Sequence, residues 1–119
     1  MPVATILIAD PDPATRSLLE VLVLRLGHRP IGQRELVEGE SPDLMLLEPA
    51  SRADLMAALR LRSQFPKLPI LSVSIKPECP EVRDLGVTDH VMKPFRRLQL
   101  ESAVACALAP VREALETRL

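Results

Sequence analysis

Three short apolar segments, each ending in a polar residue, constrain the fold of this chain more than any other feature. They are ATILIAD, ending at Asp10, DLMLLE, ending at Glu48, and LPILSVS, ending at Ser74. Uninterrupted apolar runs of this length are typical of strands that are covered on both faces. Helical patterns separate them, and HRPIGQ and VTDHVM add two weaker strands. The alternation predicts an α/β fold: a five-stranded parallel sheet with helices on both faces.

The carboxyl ends of parallel strands meet at one edge of such a sheet, where ligands and substrates bind. Five polar residues follow the predicted strands and are expected at that edge: Asp10, Asp12, Glu48, Ser74 and Lys93. The sequence therefore places three acids, a hydroxyl and a lysine together. These residues are the candidate site.

Length and composition exclude several classes of protein. With 119 residues the chain is long enough for one core, and its net charge of −1 provides no basic surface for nucleic acid. The apolar runs are too short to span a bilayer, so we expect a cytoplasmic protein that does not bind membranes. Cys79 and Cys106 lack the spacing of a metal or redox motif. We expect one domain over residues 1–109, with 110–119 a C-terminal helical extension or a linker to a further domain.

Four motifs in order resemble the receiver domains of bacterial two-component response regulators. ILIADPDPATRSLLEVL is similar to their first strand and helix, PDLMLLE to the strand with the phosphoacceptor, LPILSVS to the strand ending in a hydroxyl, and GVTDHVMKPF to the closing segment. The resemblance covers nearly the whole chain. It implies the doubly wound, flavodoxin-like or CheY-like arrangement, and a cis peptide bond between Lys93 and Pro94.

In that family an aspartate accepts a phosphoryl group and Mg²⁺ is held by this aspartate and an acidic pair. The resemblance carries the family's roles onto the following residues: Glu48 as the acceptor, Asp10 and Pro11 as the acidic pair, Ser74 as the hydroxyl, Lys93 as the lysine and His90 as the switch aromatic. Two of these positions depart from the family. Glu48 is one methylene longer than aspartate, which displaces its carboxylate by roughly 1.5 Å in a reaction sensitive to about 1 Å. Pro11 has no oxygen to offer a metal ion.

These departures predict a degenerate receiver, or pseudo-receiver, and not an enzyme. We expect no cofactor, weak or absent Mg²⁺ binding, and a phosphorylation-independent regulatory module that binds a signalling protein or a fused output domain. Two alternatives are a phosphoaccepting regulator with unusual chemistry, using Asp10, Asp12 or Glu48, and a pseudo-receiver that senses a small molecule in the same crevice.

Three of the site residues allow two interpretations each. Asp12 either replaces the missing metal ligand or caps the first helix, as an aspartate before proline does. Glu48 either pairs permanently with Lys93 and Ser74, imitating the activated state, or is a partly solvated acid. His90 either titrates and couples to the site or is a surface polar residue.

The remaining predictions concern the helices. The segments RELVEGES and PECPEVRDLG are short or bounded by proline, so the second and fourth helices of the receiver pattern should be shortened. On the first helix, helical periodicity places four residues in the core: Leu18, Leu19, Leu22 and Leu26. It places three on the flanks or the outer side: Val21, Val23 and Leu24. Val21 and Leu24 are therefore candidates for a partner surface or a homodimer contact.

Overall fold

The computed structural model describes residues 3–117, and the side chains of residues 3–109. The strands are β1 (Thr5–Ala9), β2 (Arg29–Ile31), β3 (Leu44–Leu47), β4 (Ile70–Ser74) and β5 (Asp89–Met92). The helices are α1 (Pro13–Arg25), α2 (Arg52–Gln64), α3 (Pro80–Asp84) and α4 (Arg97–Thr117), and a 3-10 turn covers Gln33–Glu35. The strand order is β2-β1-β3-β4-β5, and every pairing is parallel. The predicted fold class is confirmed.

Alternate residues of each central strand pack into two separate cores. Ile6 and Ile8 of β1 contact apolar residues of α1 and α4 on one face, whereas Leu7 and Ala9 pack with α2 on the other. Because neighbouring strand residues point to opposite faces, an uninterrupted apolar run fills both cores at once. This arrangement explains why the central segments are almost entirely apolar until they reach the edge of the sheet, with the buried Ser72 of β4 as an exception.

The second and fourth helices of the receiver pattern are shortened, as predicted. Between β2 and β3 only the 3-10 turn forms, and α3 has five residues. Pro77 and Pro80 bound the available segment, and Pro80 is itself the first residue of α3, where proline is tolerated. The peptide bond between Lys93 and Pro94 is cis, as the resemblance implies.

The outward face of α1 differs from the prediction at two residues. Leu18 was assigned to the core but is 49% exposed, and Val23 was assigned to the outer side but is buried. Leu19 and Leu22 are buried and Val21 and Leu24 are exposed, as expected. The helix is apolar on nearly all sides, so periodicity alone could not fix its rotation to within one position.

The last residues that the structure describes are helical. Helix α4 begins at Arg97 and continues to Thr117, beyond the boundary at residue 109. The interpretation of 110–119 as an extension or a linker therefore stays a prediction, and residues 118 and 119 lie outside the described part. Within residues 3–117, no helix is both long and apolar enough to cross a membrane.

Candidate functional site

Lys93 joins two buried carboxylates at the carboxyl edge of the sheet. Its Nζ lies 2.7 Å from Asp10 Oδ2 and 2.9 Å from Glu48 Oε2. The side chains of Asp10 and Glu48 are 2% and 8% exposed, and that of Lys93 is 15% exposed. A single ammonium group therefore balances two acids that have almost no access to water. We call Asp10, Glu48, Ser74 and Lys93 the rim cluster.

The second carboxylate oxygen of Glu48 is also fully engaged. Ser74 Oγ donates a hydrogen bond of 2.7 Å to Glu48 Oε1, and the Ala50 amide donates one of 2.9 Å to the same oxygen. One carboxylate thus accepts from an ammonium, a hydroxyl and a backbone amide. Glu48 is buried and not partly solvated, and it pairs with Lys93 and Ser74. That this pairing imitates the activated state stays a prediction.

These contacts determine the charge state of the rim cluster. Burial raises the pKa of Glu48, but the hydrogen bonds from Lys93, Ser74 and the Ala50 amide outweigh it, so this pKa lies below its ordinary value. Burial lowers the pKa of Lys93, but Asp10 and Glu48 more than compensate, so this pKa lies above its ordinary value. Both groups are charged near neutral pH.

The strand order explains why these four residues meet. Asp10 follows β1, Glu48 follows β3, Ser74 ends β4 and Lys93 follows β5. The register pairs Ala9 with Leu47 in neighbouring parallel strands, so all the carboxyl ends lie at one edge. Four of the five residues that the sequence places at this edge, Asp10, Glu48, Ser74 and Lys93, therefore meet.

Asp12 lies outside this cluster. Its carboxylate caps α1, accepting hydrogen bonds of 3.1 Å from the Thr15 amide and 2.6 Å from Thr15 Oγ1. The Thr15 hydroxyl is the largest cause that lowers the pKa of Asp12. The backbone amide of Asp12 donates a hydrogen bond of 2.9 Å to Asp10 Oδ1. Asp10 thus has a partner at each carboxylate oxygen. Of the two interpretations, the helix cap is the one observed.

His90 does not contact the rim cluster directly. Its Nε2 lies 2.8 Å from the Lys76 carbonyl oxygen, and its Nδ1 is hydrogen-bonded to Ser72 Oγ. Because a carbonyl only accepts, Nε2 carries a proton and donates it. The Lys76 amide in turn donates to Ser74 Oγ at 3.1 Å. His90 is half-buried, and its hydrogen bond to the Lys76 carbonyl connects it to the loop after β4. Neither interpretation from the sequence anticipated this contact.

Several functional contacts were not found from the sequence. The Ala50 amide and the Lys76 carbonyl are backbone groups, and no sequence signal marks them. Asp54 is buried and accepts a hydrogen bond of 2.6 Å from Gln33 Nε2, which joins α2 to the 3-10 turn. The spacing of Ser51 and Asp54 is that of a helix start and could have indicated part of this arrangement.

The α1 outer stripe, defined as Leu18, Val21 and Leu24, is an exposed apolar surface. Val21 is 52% and Leu24 61% exposed. The three residues are spaced by three positions and so lie along one side of the helix. The structure therefore leaves the predicted partner surface accessible and adds Leu18 to it.

No protein-family model matches the chain, and no curated protein matches it. Solved structures do match it. The chain is 19% identical to a response regulator from Thermotoga maritima, covering 91% of this chain and 99% of that one with a TM-score of 0.76. It is 15% identical to a CheY-like receiver domain protein from Methanospirillum hungatei JF-1, covering 95% and 99% with a TM-score of 0.82.

A third similar structure carries a metal. It is the receiver domain of a sensor histidine kinase from Pseudomonas aeruginosa PAO1, described with a magnesium ion coordinated in the active site cleft. The identity is 20%, the coverage is 90% of this chain and 98% of that one, and the TM-score is 0.76. At these identities the similarity establishes the fold. The chain has the CheY-like fold of response regulator receiver domains.

Proposed function

We propose that the chain is a receiver domain in two-component signal transduction that acts without phosphorylation, by binding a signalling protein or a fused output domain. It is a cytoplasmic regulatory module and not an enzyme. The observation that carries the proposal is the Glu48 carboxylate, which makes with Ser74, Lys93 and the Ala50 amide the contacts that a phosphoryl group would otherwise require. The negative charge of the Glu48 carboxylate takes the place of the negative charge that a transferred phosphoryl group would bring.

The engagement of Glu48 argues against its acting as a phosphoacceptor. A carboxylate oxygen attacks phosphorus through a free lone pair, aligned with the leaving group. Here Oε1 accepts two hydrogen bonds and Oε2 faces the Lys93 ammonium at 2.9 Å. Attack through Oε1 would require breaking two hydrogen bonds, and attack through Oε2 would have to take place beside the Lys93 ammonium, in a site with little access to water.

The donor set also does not fit Mg²⁺. This ion requires oxygen ligands in near-octahedral geometry. Pro11 supplies no side-chain oxygen, and the carboxylates of Asp10 and Glu48 both face a lysine ammonium. A divalent cation there would also be repelled by Lys93. We therefore propose that Mg²⁺ binds weakly or not at all, and that no other cofactor is used.

Intact-mass spectrometry after incubation with acetyl phosphate and Mg²⁺ tests this function. The wild-type protein should stay unmodified. The double variant Pro11→Asp with Glu48→Asp should gain one phosphoryl group, because it restores both the acceptor length and the missing ligand. Glu48→Asp alone is the matched intermediate, and it should react slowly because Pro11 remains.

The opposite outcome is equally informative. Phosphorylation of the wild-type protein would contradict the proposal and favour the alternative of an acceptor with unusual chemistry. Tandem mass spectrometry would then separate Asp10, Asp12 and Glu48 as acceptors. A double variant that folds but stays unmodified would remove the argument that these two positions cause the loss.

The α1 outer stripe is the surface through which we propose the partner binds. Exposed apolar residues along one side of a helix are a common recognition surface, although single exposed aliphatic residues are ordinary. Leu24→Asp should abolish the interaction with the partner while leaving the fold intact. Sedimentation of the wild-type protein and this variant at several concentrations would show whether a second copy is that partner. Retained binding by a folded Leu24→Asp variant would place the interface elsewhere.

A further inference from the structure

A pocket of about 370 Å³ lies beside the rim cluster, between the loop after β3 and the loop after β4. Its wall includes Arg52, Leu55, Lys76, Cys79, Glu81 and Val82. We propose that this pocket binds a small organic anion with an apolar body, such as an aryl or alkyl carboxylate. Its size is within the range of sites that hold small ligands.

Both walls of the pocket are fixed to the rim cluster. On one side the Ala50 amide donates to Glu48 Oε1 at 2.9 Å. On the other, the Lys76 amide donates to Ser74 Oγ at 3.1 Å, and the Lys76 carbonyl accepts from His90 Nε2 at 2.8 Å. A ligand therefore enters a preformed space and does not bear the cost of ordering the loops.

The charges around the pocket favour a monoanion. Arg52 and Lys76 are exposed, and among the described side chains of residues 3–109 neither cation has an ion-pair or hydrogen-bond partner. Glu81 is the acid on the same wall. Over the lining residues alone, two cations and one acid leave a net charge of one positive, whereas the adjacent rim cluster has two acids and one lysine. A carboxylate matches this charge, and the planar guanidinium of Arg52 provides two parallel donors for it.

Apart from Ser74, the rest of the wall is largely apolar and calls for an apolar body on the ligand. Val82 is buried and Leu55 half-buried, and Pro49 and Pro77 line the same space. The short α3 helps to form this pocket, because Glu81 and Val82 come from its five residues. A purely inorganic anion would leave these surfaces in contact with water, so the apolar body should add to the affinity.

Titration with 4-phenylbutanoate, followed by calorimetry and by amide resonances, tests the proposal. The uncharged control ligand is 4-phenylbutanol, and butanoate is the control without the ring. The double variant Arg52→Gln with Lys76→Gln removes both cations. Arg60→Gln is the matched control, because it removes one exposed cation from the same helix α2 outside the pocket wall. Cys79→Phe adds bulk to the pocket without changing its charge.

The expected result is saturable binding of 4-phenylbutanoate with shifts at Ala50, Lys76 and Val82. The double variant and Cys79→Phe should each weaken binding by about tenfold or more, with Arg60→Gln unchanged. The proposal is overturned if the acid does not bind saturably, if the alcohol or butanoate binds as well, or if the double variant keeps full affinity. None of these results bears on phosphorylation, so this inference and the proposed function fail independently.

Discussion

Two cations hold opposite ends of the sheet, and they do so through different partners. At the carboxyl edge Lys93 binds the carboxylates of Asp10 and Glu48. At the other end Arg62, from α2, donates to backbone carbonyls near the starts of β4 and β5. These carbonyls belong to Leu85 (2.8 Å), Pro66 (2.9 Å), Leu68 (2.6 Å) and Gly86 (3.3 Å).

The two sites differ in what their stability depends on. Carbonyl groups have no charge to lose, so the Arg62 contacts persist at any pH at which the guanidinium is protonated. The Lys93 contacts require ionised acids, so they respond to pH and to any change of side-chain charge. Arg62 is therefore a structural connection, whereas Lys93 belongs to a site whose contacts depend on charge.

Lys93→Met should have the largest effect. We expect the free energy of unfolding to fall by about 3–5 kcal/mol near neutral pH, because two buried carboxylates lose the cation that pairs with both of them. Urea unfolding measures it, with the exposed Lys67→Met as the control. The deficit should shrink in acid as Glu48 takes up its proton. A loss of about 1 kcal/mol or less would mean that the cluster behaves as an exposed ion pair.

Arg62→Met is expected to cost about 2–3 kcal/mol, since carbonyl groups at the ends of two strands lose a charged donor. The loss should be the same from about pH 5 to about pH 8, in contrast to Lys93→Met. Urea unfolding across that range, with Arg60→Met as the control from the same helix, measures it. If the loss of stability in Arg62→Met varied with pH, it would contradict the proposed difference between the Arg62 and Lys93 ends of the sheet.

Glu48→Gln should cost about 1–2 kcal/mol near neutral pH, because the amide keeps an acceptor for Ser74 and Ala50 but loses the charge that pairs with Lys93. The folded pKa of Glu48 lies below its ordinary 4.5. Its contribution is therefore fully present above pH 4.5 and is lost as pH falls through the folded value. Wild type and variant should converge in acid, which thermal unfolding at several pH values would show. Parallel curves would contradict this linkage.

Asp12→Ala should have the smallest effect, because this acid is exposed and caps α1 without joining the rim cluster. Its pKa is also lowered, mainly by the Thr15 hydroxyl. Melting temperature should fall slightly, and amide resonances of Ala50 and Lys76 should not move. Asp12→Asn should restore the cap, since asparagine also accepts at this position. Shifts at the rim cluster would mean that Asp12 belongs to the site.

Much of the architecture was predictable because the fold uses strong local signals. The apolar runs ending at Asp10, Glu48 and Ser74 identify the central strands, and parallel topology then requires their ends to meet. Proline and short length were enough to predict the reduced helices. The rotation of α1 was not predictable at Leu18 and Val23, because aliphatic residues occur on both sides of the helix.

Four members of the site were predictable, but the sequence left the place of Asp12 open between a metal ligand and a helix cap, and it did not predict the bonding of the site. Sequence places Glu48 near Lys93 and Ser74, but how far each is buried depends on the packing of all the surrounding loops. Likewise, His90 was matched to a switch position, whereas its partner is the backbone of Lys76, which has no side-chain signature. Arg62 falls at helical spacing with leucines, and only the tertiary structure shows the carbonyls that it reaches.

The ion pair between Lys93 and Asp10 has a consequence for the motions of the sheet. It joins residues 83 positions apart, and it connects the edge strand β5 to the strand β1, three places away in the order. Edge strands ordinarily open before central ones in hydrogen exchange. Here β5 cannot separate from β4 without also breaking the Lys93 contacts. Exchange at this edge should therefore be slowed toward the rate of the centre, and the whole carboxyl edge should open as one cooperative unit.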